Sequence, residues 1–298
     1  MTPERAATPA VVPDSAYHVS DGLLPSIPVV NIGTSNSGGS ATDYSQASTV
    51  EKIPASPQYQ VNPPPSATLQ YDVEAWREGQ RVYGHGSIAW HTDGSSYRIS
   101  GDAGILFFSV LSFTSEGMID SLGIAPVLYN EKRFRKSATN THFQRERNLI
   151  SFSASTTSYP RQGGEQDRAS VIWQLASIGR GDSGRFVAGA DIDLFVAGVR
   201  DAETWRIHVI GQEQIEIDGQ PTSAWHIVRA PRPGSYDQKI DIWLAPEQQW
   251  YPVKLRYTET SGDYLDLLLS NIKQPPPPTT ADTPAAAGNP AFSHEWMN

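Results

Sequence analysis

Proline divides this chain more sharply than any other feature of its sequence. Of the 23 prolines, ten lie in residues 1–65 and six in residues 274–298, whereas the 208 residues between them hold seven. Proline fixes φ and lacks a backbone donor, so clustered prolines interrupt both helices and sheets. We therefore expect a disordered Pro/Ser/Ala-rich linker over 1–65, an ordered domain over 66–273 and a disordered Pro-rich tail over 274–298.

The composition excludes several classes of protein. The chain has no cysteine, which excludes disulfide frameworks, thiolate catalysis and cysteine-ligated metals. Its net charge of −9 argues against binding to nucleic acid or to an anionic membrane surface, because both require a basic footprint. The longest apolar run, residues 104–111, is far shorter than the roughly 18 residues of a membrane-spanning helix. We expect no nucleic-acid partner and no membrane span.

The first ten residues carry no targeting pattern. They contain neither the basic region nor the apolar region of a secretory signal peptide. Two alternatives follow: the protein is cytoplasmic, or the segment that exports or anchors it lies outside this sequence. A leader of 65 residues would suit a tether between an anchor and a domain, which favours the second alternative.

Alternation of apolar and polar residues recurs through the central segment and predicts a β-rich domain. Residues 167–179 break this pattern, because Val171, Ile172, Leu175 and Ile178 recur at helical spacing. Short connections and the lack of strand–helix–strand alternation predict antiparallel pairing. We expect a mainly β fold in which one large antiparallel sheet curls into a half-barrel or barrel and holds one amphipathic helix.

Turn residues predict the pairing of three hairpins. Asp93-Gly94 favours a two-residue turn, which places Trp90 opposite Tyr97 and His85 opposite Asp102. The pair His85 and Asp102 is then the best candidate for acid–base chemistry, although solvated partners on a polar face are the more ordinary interpretation.

The other two hairpins differ in the length of their loops. Asp218-Gly219 favours a two-residue turn with Val209 opposite Val228, which puts His208 and His226 on opposite faces. Around Ser261-Gly262 a three-residue loop gives the better apolar match. It pairs Leu255 with Leu267 and Arg256 with Asp266.

Motifs that suggest an enzyme are weak. Residues 181–184 read Gly-Asp-Ser-Gly, as around the serine of some proteases, but no histidine lies between His142 and His208 to serve that serine. The tripeptide at 180–182, Arg-Gly-Asp, is composed of common loop residues. The histidines do not cluster at the spacing of a metal site. We expect no catalytic residues, no metal and no cofactor.

Several segments together resemble one family of bacterial proteins. Residues 236–246 read Tyr-Asp-Gln-Lys-Ile-Asp-Ile-Trp-Leu-Ala-Pro, and residues 251–256 read Tyr-Pro-Val-Lys-Leu-Arg. Gly-Asp-Tyr-Leu-Asp-Leu follows at 262–267, and Gln-Asp-Arg at 166–168 opens the helix. This combination resembles the domain-of-unknown-function family numbered 3108, over about residues 66–272. The resemblance implies an exported, periplasmic or envelope-associated protein and assigns no activity.

The pattern of strands around residues 239–267 is also similar to outer-membrane lipoprotein carriers, in which a curved antiparallel sheet wraps an apolar cavity. The sequence therefore favours a non-enzymatic envelope protein that binds or carries an apolar small molecule or lipid. A structural or interaction module that binds another envelope protein is the alternative, and a hydrolase is the third. The candidate ligand-binding residues are Val171, Ile172, Leu175 and Ile178 on the helix, with Ile242, Leu244, Leu255 and Tyr257 on the strands.

Overall fold

The fold is one long antiparallel sheet that curls around a buried helix. The computed structural model describes residues 58–105, 108–133, 135–232, 234–235 and 237–275. The predicted disorder of residues 1–57 and 276–298 lies outside this range. Within it, fifteen strands form one sheet in the order β8-β7-β6-β5-β4-β3-β2-β1-β15-β14-β13-β12-β11-β10-β9. All neighbouring strands pair antiparallel except β9 with β10.

The first eight strands are β1 (Ala67–Arg77), β2 (Gln80–Thr92), β3 (Ser96–Ile105), β4 (Phe108–Asp120), β5 (Gly123–Arg133), β6 (Thr139–Gln144), β7 (Leu149–Phe152) and β8 (Ser155–Pro160). The short β9 (Gln166–Asp167) then leads into helix α1 (Ser170–Gly181). The remaining strands are β10 (Asp191–Ala197), β11 (Ala202–Ile217), β12 (Gln220–Arg229), β13 (Lys239–Ala245), β14 (Tyr251–Thr258) and β15 (Tyr264–Lys273). Short 3-10 helices occupy Ser183–Arg185 and Pro246–Gln248. The prediction of a curled antiparallel sheet with a single helix is confirmed for the described residues.

Helix α1 begins three residues later than predicted and is buried on every side. Its start is set by Asp167, whose Oδ1 accepts the backbone N–H groups of Ala169 and Ser170 (both 2.8 Å). Gly179 does not end the helix. It lies inside α1, where a Cβ would stand only 2.1 Å from the ring of Trp250, so glycine is required for this close contact. All residues from 170 to 179 are buried, which is more than the predicted amphipathic stripe.

Residues 58–65, which the sequence assigned to the linker, contact both the helix and the sheet. The backbone N–H of Asn62 donates to the carbonyl of Ser177 on α1 (2.9 Å). The carbonyl of Pro64 accepts from Nε1 of the buried Trp90 (2.9 Å), and that of Pro65 accepts from the hydroxyl of Tyr251 (3.0 Å). The packed part of the chain therefore begins before residue 66.

The hairpin at Asp93-Gly94 corrects the first predicted register. Strand β2 pairs Thr92 with Tyr97, so the connection spans four residues and not two. The carboxylate of Asp93 causes the difference, because it accepts the backbone N–H groups of Ser95 and Ser96 (2.8 and 2.7 Å) and stabilises a longer loop. The shift of two residues preserves the faces of the strands.

The predicted pair His85–Asp102 is therefore wrong. His85 lies opposite Gly104 and contacts the carboxylate of Asp72 through Nδ1 (3.2 Å), whereas Asp102 accepts from the hydroxyl of Ser87 (2.7 Å). Both contacts are exposed. They are surface hydrogen bonds, which was the more ordinary interpretation of this polar face.

The second hairpin follows its prediction only near the turn. Ile217 pairs with Gln220, as expected, but a bulge at Ile210 shifts the rest of the strand by one residue. Val209 consequently pairs with Ile227 and not with Val228. The shift places His208 and His226 on the same face, so the prediction of opposite faces is wrong.

The third hairpin confirms its prediction. Leu255 pairs with Leu267 and Arg256 with Asp266, and Gly262 takes the positive φ of +89° that the short loop requires.

Side chains, and not backbone pairing, close the curled sheet. The described residues contain no backbone–backbone hydrogen bond between strands β5–β8 and strands β9–β11. A small apolar cluster, which we call the seam, joins them instead. It consists of Phe143, Ile150, Phe152 and Tyr159 from β6–β8 and Phe195, Ala197 and Ala202 from β10–β11. Two side-chain hydrogen bonds also cross this junction, from Thr141 Oγ1 to the carbonyl of Gly198 (2.7 Å) and from Gln166 Nε2 to the carbonyl of Ile124 (2.6 Å).

Candidate ligand site between the helix and the sheet

One side of α1 faces the sheet across a small apolar cavity. The helix side consists of Val171, Ile172 and Leu175, together with Arg168, which precedes the helix by two residues. The sheet side consists of Trp205 and Ile207 on β11, Arg229 on β12, Ile240 and Ile242 on β13, and Tyr257 on β14. The cavity measures about 10 Å³, which is the space that one water molecule occupies. The space between α1 and this part of the sheet is therefore almost filled by the side chains that line it.

The structure brings five of the eight predicted ligand residues to this cavity. They are Val171, Ile172, Leu175, Ile242 and Tyr257. The other three, Ile178, Leu244 and Leu255, are buried in the main core and do not line it.

Sequence reasoning missed the two arginines of the cavity wall. Arg168 precedes Val171, Ile172 and Leu175 by three, four and seven residues, which is the spacing of a single helix face. That spacing could have placed Arg168 beside the three apolar residues from the sequence alone. Arg229 could not be placed, because the bulge in β11 had not been foreseen.

The guanidinium of Arg229 makes three hydrogen bonds within the protein. Its Nη2 donates to the carboxylates of Glu203 (2.7 Å) and Asp237 (3.2 Å), and its Nη1 donates to the carbonyl of Gln238 (2.8 Å). The same guanidinium lies 5.0 Å from the ring of Trp205. A buried charge with this many partners is a structural element of the cavity wall, since removal of one partner would leave a charge without compensation.

Arg168 and Tyr257 differ from Arg229 in this respect. In the described part of the chain, neither the guanidinium of Arg168 nor the hydroxyl of Tyr257 makes a hydrogen bond, and Arg168 has no carboxylate within the distance of an ion pair. Burial raises the pKa of Tyr257 to about 12, while the nearby charge of Arg168 acts in the opposite direction. The cavity thus has an apolar wall and two polar groups with unused donors.

A chain of buried polar groups lies beside Arg168. Asp167 Oδ2 accepts from Ser115 Oγ (2.5 Å), which also contacts the hydroxyl of Tyr97 (2.9 Å). Burial raises the pKa of Asp167 to about 6, against the effect of these hydrogen bonds. On β5, which pairs with the strand of Ser115, Glu131 accepts from Tyr129 and Arg133 (2.8 and 2.6 Å), so both of its oxygens are used. These contacts fix the start of α1 and the strands around it.

The motifs that suggested enzymes are surface features. Ser183 is exposed in the 3-10 helix after α1, and Asp182 pairs with Arg185 at 3.0 Å. His208 and His226 bind carboxylates on the outer face of the sheet. The described residues contain no group of three or more potential metal ligands. No helix among them has the length and hydrophobicity needed to cross a membrane.

Comparison with known proteins identifies a family but no activity. The family model described as "Protein of unknown function (DUF3108)" matches residues 70–269. No curated protein matches the chain.

Three solved structures are similar over about 70% of the chain, with low identity. A β-barrel-like DUF1849 protein from Brucella abortus has a TM-score of 0.45 at 10% identity, with 71% of this chain and 98% of that chain covered. A DUF1329 protein from Desulfovibrio piger has a TM-score of 0.25 at 8% identity, with 71% and 86% covered. A protein from Vibrio parahaemolyticus, described as a putative outer membrane lipoprotein-sorting protein domain, has a TM-score of 0.21 at 7% identity, with 70% and 85% covered.

Proposed function

This chain belongs to the DUF3108 family of proteins of unknown function, and we propose that it is a non-enzymatic binding protein that accepts an apolar chain between α1 and the sheet. The observation that carries the proposal is the cavity described above. Most of its lining consists of apolar side chains from both α1 and the sheet, and five of the lining residues had been selected from the sequence alone. Apolar walls with few polar groups are typical of sites for small hydrophobic ligands.

Binding requires the sheet to open, because a cavity of about 10 Å³ is too small for any lipid chain. The seam provides a route for this opening. Apart from the chain connection through residues 161–165, side chains join β5–β8 to β9–β11. The two groups of strands can therefore separate without breaking a ladder of backbone hydrogen bonds. A chain of 14 methylenes would gain about 11 kcal/mol from burial, from which association and opening costs are subtracted. We expect affinities in the micromolar range or weaker.

The cell envelope is the proposed location of this function. The proposal rests on the resemblance of the chain to exported bacterial proteins. An apolar ligand is consistent with a location in the cell envelope.

Substitution of Val171 by tryptophan tests the proposed site. Val171 is 1% exposed and lines the cavity, so a larger ring there should occupy the space that a ligand needs. Titration with a fluorescent long-chain fatty acid should show binding to the unmodified protein and none to Val171→Trp. Val187→Trp is the matched control, because Val187 is 57% exposed, and it should bind like the unmodified protein.

A second substitution keeps the test decisive if Val171→Trp unfolds. Ile172→Ala enlarges the same cavity and should strengthen binding of the same probe, provided that circular dichroism shows a retained fold. If the folded, unmodified protein takes up no probe, the binding function is wrong.

A structural or interaction module is the second candidate function, and the filled core favours it. A sheet whose interior is packed by its own side chains needs no ligand for stability. This candidate gives the opposite result in the same titration: a stable fold with no uptake of the probe at any concentration.

A further inference from the structure

Arg168 and Tyr257 offer unused hydrogen-bond donors at the wall of an apolar cavity. A guanidinium has five N–H donors and a phenol has one. In the described residues, the six arginine and tyrosine donors of this pair contact no acceptor. Neither side chain is among those with a buried polar atom that lacks a partner, so these donors are accessible to water and a ligand that enters from solvent meets them.

The surrounding charges do not satisfy Arg168. Glu131 is near enough for the charge of Arg168 to help lower the pKa of that carboxyl. However, both Glu131 oxygens already accept from Tyr129 and Arg133. Arg229, on the opposite wall, uses its own carboxylates. Asp201 Oδ1 lies 3.2 Å from the position of a Cβ on Gly198, as do two nitrogens of Arg168, but Asp201 and Arg168 form no ion pair in the described residues. The site therefore holds a cation that is near acids but in direct contact with none of them.

Arg168 also lies beside the seam. A Cβ on Gly198 would stand 3.2 Å from both Nε and Nη2 of Arg168, so the glycine leaves room for the guanidinium. The carbonyl of the same Gly198 accepts the hydrogen bond from Thr141 that crosses the seam (2.7 Å). A molecule that passes through the seam would meet this guanidinium next to the apolar wall.

We propose that the ligand is an amphiphile with an oxyanion head group, a carboxylate or a phosphate, which Arg168 binds together with the hydroxyl of Tyr257. The apolar chain would lie along Ile172 and Ile242. This inference rests on the proposed binding function and specifies its ligand class. Guanidinium binds oxyanions through paired hydrogen bonds, which are stronger than those between neutral groups. An anion here would also compensate a partly buried positive charge.

The test compares ligands that differ only in the head group. The probes are a fluorescent 16-carbon fatty acid, its methyl ester, and the corresponding alkyl phosphate, at pH 8 so that the acids are ionised. We expect the unmodified protein to bind at least one anion about tenfold more tightly than the ester. The anion that binds more tightly identifies the head group.

Variants of Arg168 assign this preference to the guanidinium. Arg168→Gln should reduce the preference for the anion over the ester to less than threefold, whereas Arg168→Lys should retain part of it. Tyr257→Phe should weaken anion binding by a smaller factor. Arg185→Gln is the matched control for the loss of one positive charge, because Arg185 is exposed and pairs with Asp182.

The outcomes separate this inference from the function on which it rests. Equal binding of acid, phosphate and ester would overturn the inference and leave the binding function intact. An anion preference that persists in folded Arg168→Gln would also overturn it. If the folded protein binds none of the three probes, the binding function itself fails.

Discussion

Replacement of Asp167 by asparagine should remove a specific part of the pH dependence of stability. The carboxyl of Asp167 is fully buried, and burial raises its pKa from 3.8 to about 6. A pKa that is higher in the folded state means that the folded protein binds the proton more tightly than the unfolded chain does. Protonation of Asp167 therefore adds to the free energy of unfolding. This addition is fully present below pH 4 and is lost as the pH rises through about 6. The shift of about two pKa units corresponds to roughly 3 kcal/mol.

Asparagine fits the same position without a charge. Its carbonyl can accept the N–H groups of Ala169 and Ser170 as Asp167 Oδ1 does, and its amide can donate to Ser115. The stability of Asp167→Asn relative to the unmodified protein should therefore increase by roughly 3 kcal/mol between pH 4 and pH 7. Urea unfolding, followed by tryptophan fluorescence at several pH values, measures this difference.

The control for this experiment is Asp218→Asn, which removes one negative charge from an exposed turn where asparagine is equally suitable. If the stability difference between Asp167→Asn and the unmodified protein does not change with pH, our assignment of the buried ionised carboxylate is wrong.

Three further predictions concern packing at the helix, the preceding segment and the seam. A chain that starts at residue 67 should melt at least about 10 °C below one that starts at residue 58, because it loses the hydrogen bonds of Asn62, Pro64 and Pro65, of about 1 kcal/mol each, and those of Tyr59 and Ser66. Equal melting temperatures would contradict the packing of residues 58–65. Gly179→Ala should cost about 1–3 kcal/mol in thermal unfolding, because its Cβ overlaps Trp250, and a neutral effect would refute this contact. Thr141→Val removes the hydrogen bond to Gly198 and should accelerate uptake of the fluorescent fatty acid in stopped-flow mixing, whereas an unchanged rate would show that the seam is not the route.

Hydrophobic pattern predicted the fold class and the hairpin at Ser261-Gly262, because both depend on alternation along the chain. The errors arose where a side chain or an inserted residue changed the local backbone. Asp93 extended its turn by accepting two backbone N–H groups, and the bulge at Ile210 shifted one strand by a residue. Neither effect alters the apolar pattern, so neither is visible in it.

The candidate site was partly predictable for a similar reason. The apolar residues of α1 and the strands follow simple periods, and five of the eight chosen positions meet at the cavity. The small size of the cavity could not be predicted, since it depends on how closely α1 approaches the sheet. That approach is set by details such as Gly179 against Trp250. The placement of Arg229 depends on long-range pairing that a single sequence does not reveal.

Mass spectrometry of the protein, purified and sprayed under non-denaturing conditions, shows whether the protein carries an amphiphile. We expect a species whose mass exceeds that of the chain by one amphiphile, which solvent extraction releases as an acid or a phosphate. The same preparation of Val171→Trp should show the mass of the chain alone. A folded, unmodified protein that carries no such molecule, and gains none after incubation with a long-chain fatty acid, would contradict the account.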